Sequence, residues 1–174
     1  MKLCEFCFHI NDPAATQCSH CGRELPEKQY VIRNDQTTDR QNDTGTLGAP
    51  APVTKHTQHL GHVDRETIAL YIEDTSNPLV LRVNDQVVLG RYTPNNVGKR
   101  PIDLDPYDAF EKGVSRLHAA IRRLEDDSYI IVDLGSTNGT LVNGEPLTPH
   151  EPFRLRNGDL IRLGALNLYF YGPT

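Results

Sequence analysis

Two sets of residues in this chain have types and spacings suited to chemistry. The first is four cysteines, Cys4 with Cys7 and Cys18 with Cys21, forming two Cys-x-x-Cys hooks ten residues apart. Each hook turns two thiolates toward one point, and two hooks facing each other across a short hairpin supply a closed tetrahedral set for a structural Zn²⁺. Gly22 follows the second hook and gives the backbone freedom to close on the ion. Four thiolates leave no open coordination position for catalysis, and a redox Cys-x-x-Cys belongs to a strand–helix context that this stretch lacks. His9 and His20 are further donors in the same segment and read as surface histidines. The second set is polar and lies far downstream: Gly90-Arg91, Ser115-Arg116-Leu117-His118, and the run 133–144, Asp-Leu-Gly-Ser-Thr-Asn-Gly-Thr-Leu-Val-Asn-Gly. A guanidinium fork, short hydroxyls, an amide and glycine-loosened backbone suit an anion or an extended main chain.

Taken in order, Gly90-Arg91, Ser115 with His118, Ser136 to Thr140, Asn143-Gly144, Gly158-Asp159 and Leu163-Gly164 resemble the forkhead-associated (FHA) domain, a phosphothreonine-binding module, over about residues 67–172. The resemblance implies an FHA-type β-sandwich with its loops clustered at one end. It implies that Arg91, Ser115 and Thr137 bind the phosphate, with Arg116 adding charge or reaching the peptide beyond it. It also implies that Asn138 bonds the peptide main chain, that Gly90 and Gly139 permit the backbone geometry, and that His118 orients the Ser115 loop without acting as a catalyst. The stretch 92–113 is longer than in short FHA domains and carries Lys99, Arg100, Tyr107 and Phe110. It is expected to pack against a sheet edge or to form one wall of the peptide groove.

The elements that must position these residues are short strands. Apolar alternation and turn residues predict strands at 68–72, 79–83, 87–91, 102–104, 117–124, 129–134, 140–142, 153–155, 160–163 and 166–171. Leu166, Leu168 and Phe170 fall on one face, and Asn167, Tyr169 and Tyr171 on the other. Asn143-Gly144 and Asn157-Gly158 both read as hairpin turns. The fold class is therefore all-β: a sandwich of about 10–11 strands over 67–174, behind a small zinc ribbon over 1–26. The ribbon is too small for a core of its own, so the metal must supply most of its folding free energy. Residues 27–66 are rich in Gln, Asn, Thr, Asp and Pro and read as a disordered, flexible linker. Within it, His56, His59 and His62 read as linker composition. Thr44, with Leu47 three residues on, is a candidate phosphosite within reach of the chain's own binding loops.

Composition narrows the function. The net charge is −5 and Trp is absent, and in the ribbon the acids Glu5, Asp12 and Glu24 outnumber Lys2 and Arg23. That balance argues against nucleic-acid binding. No apolar run reaches the length of a membrane span, no apolar signal core opens the chain, and no cysteine lies beyond residue 21. The chain is expected to be cytoplasmic and soluble, with no membrane insertion. Ser115 and His118 lack the acidic orienter and oxyanion motif of a hydrolase, so no enzyme is expected. The expected function is a phosphothreonine-dependent adaptor for a partner protein downstream of a bacterial-type Ser/Thr kinase. The rival is a phosphate-independent scaffold using sheet faces and the ribbon.

Overall fold

The computed structural model describes residues 1–4, 9–33, 65–93 and 101–173. Two short strands, β1 (Lys2–Leu3) and β2 (Ile10–Asn11), form an N-terminal hairpin. The remaining strands are β3 (Thr67–Ile72), β4 (Leu79–Arg82), β5 (Gln86–Gly90), β6 (Ile102–Asp103), β7 (Ala119–Arg123), β8 (Tyr129–Asp133), β9 (Thr140–Val142), β10 (Glu145–Pro146), β11 (Phe153–Leu155), β12 (Leu160–Leu163) and β13 (Leu166–Tyr171). They build a six-stranded sheet, β10-β9-β12-β13-β3-β4, and a five-stranded sheet, β11-β8-β7-β5-β6. All ten expected strands are present, and β10 is the one in the sandwich that the pattern did not predict. Among the described residues the helical structure is one 3-10 turn, Asp105–Tyr107. None of their helices is long and apolar enough to cross a membrane.

Period-2 alternation sets which side chains meet between the sheets. Leu166, Leu168 and Phe170 enter the core with Ile68, Leu70, Ile121, Ile131, Ile161 and Leu163. On β8 every residue is buried. Tyr129 and Ile131 face the sandwich core, while Ile130 and Val132 belong to a second apolar cluster with Leu3, Ile10, Ala120 and Leu134. The N-terminal hairpin thus covers the outer face of the five-stranded sheet. That cover explains the unbroken apolar run at 129–132, because a strand buried on both faces has no solvent side to mark with polar residues.

Two sequence expectations change here. Residues 30–33 were assigned to the linker, yet Tyr30 and Ile32 pack into the second cluster. Arg33 bridges Phe153 in parallel, donating its N–H to Pro152 O at 2.9 Å and accepting from Arg154 N at 3.0 Å. Asn143-Gly144 is a hairpin turn, with φ of 52° and 86° and with Val142 paired to Glu145. Asn157-Gly158 is not. The strands on either side of it lie in different sheets, β11 on β8 and β12 between β9 and β13, so this corner carries the chain from one sheet to the other. Asp159 holds the corner by accepting from Arg156 N at 2.7 Å and Asn143 Nδ2 at 2.8 Å.

Candidate functional site

Gly90, at the end of β5, brings the distant segments together. A β-carbon there would lie 2.2 Å from Arg116 O, so residue 90 can carry no side chain. The close approach lets Arg91 N donate to Arg116 O at 3.1 Å and His118 N to Leu89 O at 2.9 Å. In the Arg91 side chain, Nε donates to Val114 O at 2.7 Å, and the guanidinium carbon stands 4.8 Å from the Phe110 ring centroid.

His118 is completely buried and joins two loops. Its Nδ1 accepts the Ser115 backbone N–H at 2.9 Å, which puts the ring proton on Nε2, facing Gly139 O at 3.1 Å. Burial pushes the imidazole below its ordinary value, against the opposing pull of the Gly139 carbonyl and the Asp133 charge. Ser115 Oγ accepts the Thr137 backbone N–H at 3.1 Å and keeps its own proton to donate. Asn138 Nδ2 donates to Gly113 O at 2.9 Å. Gly113 has φ of 72°, and a β-carbon there would lie 2.3 Å from Asn138 Nδ2. The β12–β13 turn closes the arrangement: Gly164 N donates to Gly139 O at 3.1 Å and Ala165 N to Lys112 O at 2.7 Å.

Arg91, Ser115, Thr137 and Asn138 therefore gather at one end of the sandwich, with Arg116, Thr137 and Asn138 exposed to solvent. The sequence reading gave no role to Asp133, which organises the loop. It is 1% exposed and accepts from Gly135 N at 2.8 Å, Ser136 N at 2.9 Å, Thr140 Oγ1 at 2.6 Å and the Ser136 hydroxyl. Burial by itself would raise its pKa. The bonds from Ser136, Thr140 and Gly135 outweigh that and hold it below the usual carboxylate range. The Asp-x-Gly-Ser order was the available signal, since an Asp that caps its own following backbone is a common turn device. A guanidinium and the Ser115 hydroxyl at one end of the sandwich are groups chemically able to donate to an anion.

Residues 87–164 match the family model described as the FHA domain. Those residues are an FHA domain. Relatives matching the chain include Protein FraH of Nostoc sp., 48% identical over 79 residues, covering 42% of this chain and 27% of that protein. Another is the glycogen accumulation regulator GarA of Mycobacterium tuberculosis, 46% identical over 61 residues, covering 34% of this chain and 35% of GarA. The chain thus spans well under half of each relative. The FHA domain of a Chlamydia trachomatis protein superposes with a TM-score of 0.50 at 22% identity, covering 62% of this chain and 99% of that one, and shows the fold alone.

Outside the FHA domain, Cys4, Cys18 and Cys21 place their sulfurs within 4.8 Å of one another, close enough to hold a metal ion. Cys4 Sγ and Cys21 Sγ are 3.6 Å apart. Asn11, buried and also missed from sequence, points Nδ2 at Cys18 Sγ at 3.6 Å and accepts Ser19 N at 2.9 Å. Gly22 closes the second hook with φ of 72°, its N–H donating to Cys18 O at 2.8 Å. Cys7 and Thr44 lie outside the described residues. His9 and His20 stack at 5.4 Å, and His9 Nδ1 pairs with Asp85, just before β5, at 3.2 Å.

Proposed function

We propose that this chain is a phosphothreonine-dependent adaptor in Ser/Thr kinase signalling, acting in the cytoplasm. The carrying observation is the gathering of Arg91, Ser115, Thr137 and Asn138 at one end of the sandwich, tied together through His118. Arg91 and the Ser115 hydroxyl take the phosphate oxygens, with Thr137 beside them. Arg116 adds positive charge at the rim, and the Asn138 amide bonds the main chain next to the phosphothreonine. Hydrogen bonds to a charged partner contribute about 1.5–3 kcal/mol each. Three or four of them, less desolvation and the ordering of a peptide, correspond to micromolar affinity or somewhat tighter.

The same proposal gives the N-terminal hairpin a structural Zn²⁺ on Cys4, Cys7, Cys18 and Cys21. Tetrahedral sulfurs around zinc stand roughly 3.8 Å apart, given a Zn–S bond of about 2.3 Å, and the Cys4–Cys21 sulfur spacing of 3.6 Å is compatible with that. Phosphorylation of Thr44 would supply an internal ligand for the same site.

The test is calorimetric titration of the full chain with a degenerate phosphothreonine peptide pool, beside its unphosphorylated twin and an Arg91→Ala chain. Binding that needs both the phosphate and Arg91 supports the reading. Absence of binding by a folded chain overturns it and favours a phosphate-independent scaffold.

A further inference from the structure

Four large apolar side chains are strongly exposed among the described residues: Val31, Val80, Tyr92 and Phe110. Two of the four lie beside Arg91. Tyr92 follows it in the chain, and Phe110 lies under its guanidinium at 4.8 Å. Single exposed apolar residues are ordinary, but Phe110 differs from Val31 and Val80 in two respects. It touches the side chain assigned to the phosphate, and its backbone is pinned. Ala109, its neighbour, and Leu104, before the 3-10 turn, are both fully buried. Lys112 N donates to Asp108 O, Gly113 N to Phe110 O and Val114 N to Ala109 O, at 2.9, 3.0 and 2.8 Å. The β12–β13 turn is bonded to Lys112 O from the other side. The ring is thus held out from a rigid base, 67% exposed, with the guanidinium stacked on it.

We propose that Phe110 is a specificity residue of the site, receiving an apolar side chain of the phosphothreonine peptide within two positions of the phosphorylated residue. This rests on the phosphothreonine reading above. An extended peptide advances about 3.3 Å per residue, and side chains two apart project from the same face. With the phosphate on Arg91, a side chain two positions away projects on the phosphothreonine's own face toward a ring 4.8 Å from the guanidinium, and one a single position away reaches the ring only where the peptide bends or twists there. Closing on the ring removes apolar surface of both partners from water. It also dries the surroundings of the Arg91–phosphate pair, where a lower local dielectric strengthens the attraction. A polar side chain at that position gains neither effect.

The experiment titrates the full chain with phosphothreonine peptides that differ only in carrying Leu, Phe or Ser one or two positions to either side of the phosphothreonine. Wild type, Phe110→Ala and Phe110→Leu are compared. Wild type is expected to favour Leu or Phe over Ser about five- to ten-fold at one of these positions, the scale of one partly covered apolar side chain. Phe110→Ala is expected to abolish the preference while still requiring the phosphate, and Phe110→Leu to keep part of it. Phosphate-dependent binding without any preference in wild type overturns this inference alone. So does a Phe110→Ala chain that loses affinity equally for all peptides and keeps the ratio, since Phe110 would then only position Arg91. No binding of any phosphopeptide by wild type overturns the inference together with the reading beneath it.

Discussion

The backbone N–H of Ser115 donates to Nδ1 of the fully buried His118 at 2.9 Å. That bond requires a neutral ring, because a proton on Nδ1 would face another N–H. Burial holds the folded pKa below the ordinary 6.5, so the unfolded chain takes up the proton first. The stability due to neutral His118 is complete above about pH 6.5 and is lost as pH falls from there toward the folded value. His9, held low chiefly by burial with Asp85 opposing, adds loss in the same direction. Denaturant midpoints are expected to fall between pH 7 and 5, and ¹⁵N NMR is expected to find His118 as the Nε2–H tautomer, titrating below the ordinary imidazole range. A folded-state ring that titrates at or above that range would refute this.

Gly90 and Gly158 separate steric from backbone cost. Gly90→Ala drives a β-carbon to 2.2 Å from Arg116 O, whereas Gly158→Ala meets nothing within 4 Å and carries only the strain of φ at 88°. The first is expected to cost about 3 kcal/mol or more and to move Arg91 off the Ser115 loop. The second should cost about 1–2 kcal/mol, leaving the site intact. Urea denaturation of the two variants tests the ordering, and equal losses would contradict it.

Removing the Asp133 carboxylate strands the buried Thr140 hydroxyl and the part-buried donors of Gly135 and Ser136. Asp133→Ala is expected to destabilise the chain by about 2–4 kcal/mol, since each buried donor left unpaired costs roughly 1–3 kcal/mol and water recovers part of it. Amide exchange should accelerate first at 135–139. Unchanged protection in that loop would show that the backbone alone maintains it.

Metal removal tests the N-terminal hairpin as a cover. Leu3 and Ile10 share an apolar cluster with Ala120, Ile130 and Val132. If zinc closes the cysteine hooks, chelation should release this cover. The expected signs are a lower thermal midpoint, binding of a hydrophobic dye, and faster amide exchange in β7 and β8. Cys18→Ser should reproduce all three signs, and Leu3→Ala should lower the midpoint with the metal still bound, by about 2–4 kcal/mol of stability. A chelated chain with unaltered midpoint and exchange would remove the metal from the account.

Much of the fold was legible because strand alternation and Asn-Gly turns are local. The burial of Leu166, Leu168 and Phe170 against the partial exposure of Asn167, Tyr169 and Tyr171 follows from the pleat alone. Gly90-Arg91, Ser115, His118 and Thr137 to Gly139 could likewise be singled out by residue type and order. Other features needed the tertiary structure, because they depend on segments distant in sequence. Asn157-Gly158 has hairpin residues, yet its flanking strands find different partners. Gly113 is required to be glycine by Asn138, twenty-five residues away. Residues 30–33 look like linker until the β11 edge and the outer face of β7 and β8 supply partners. Sequence period records which face of a strand avoids water. Only the folded chain decides what covers that face, since the free energy of burial belongs to the pair of surfaces and not to either one.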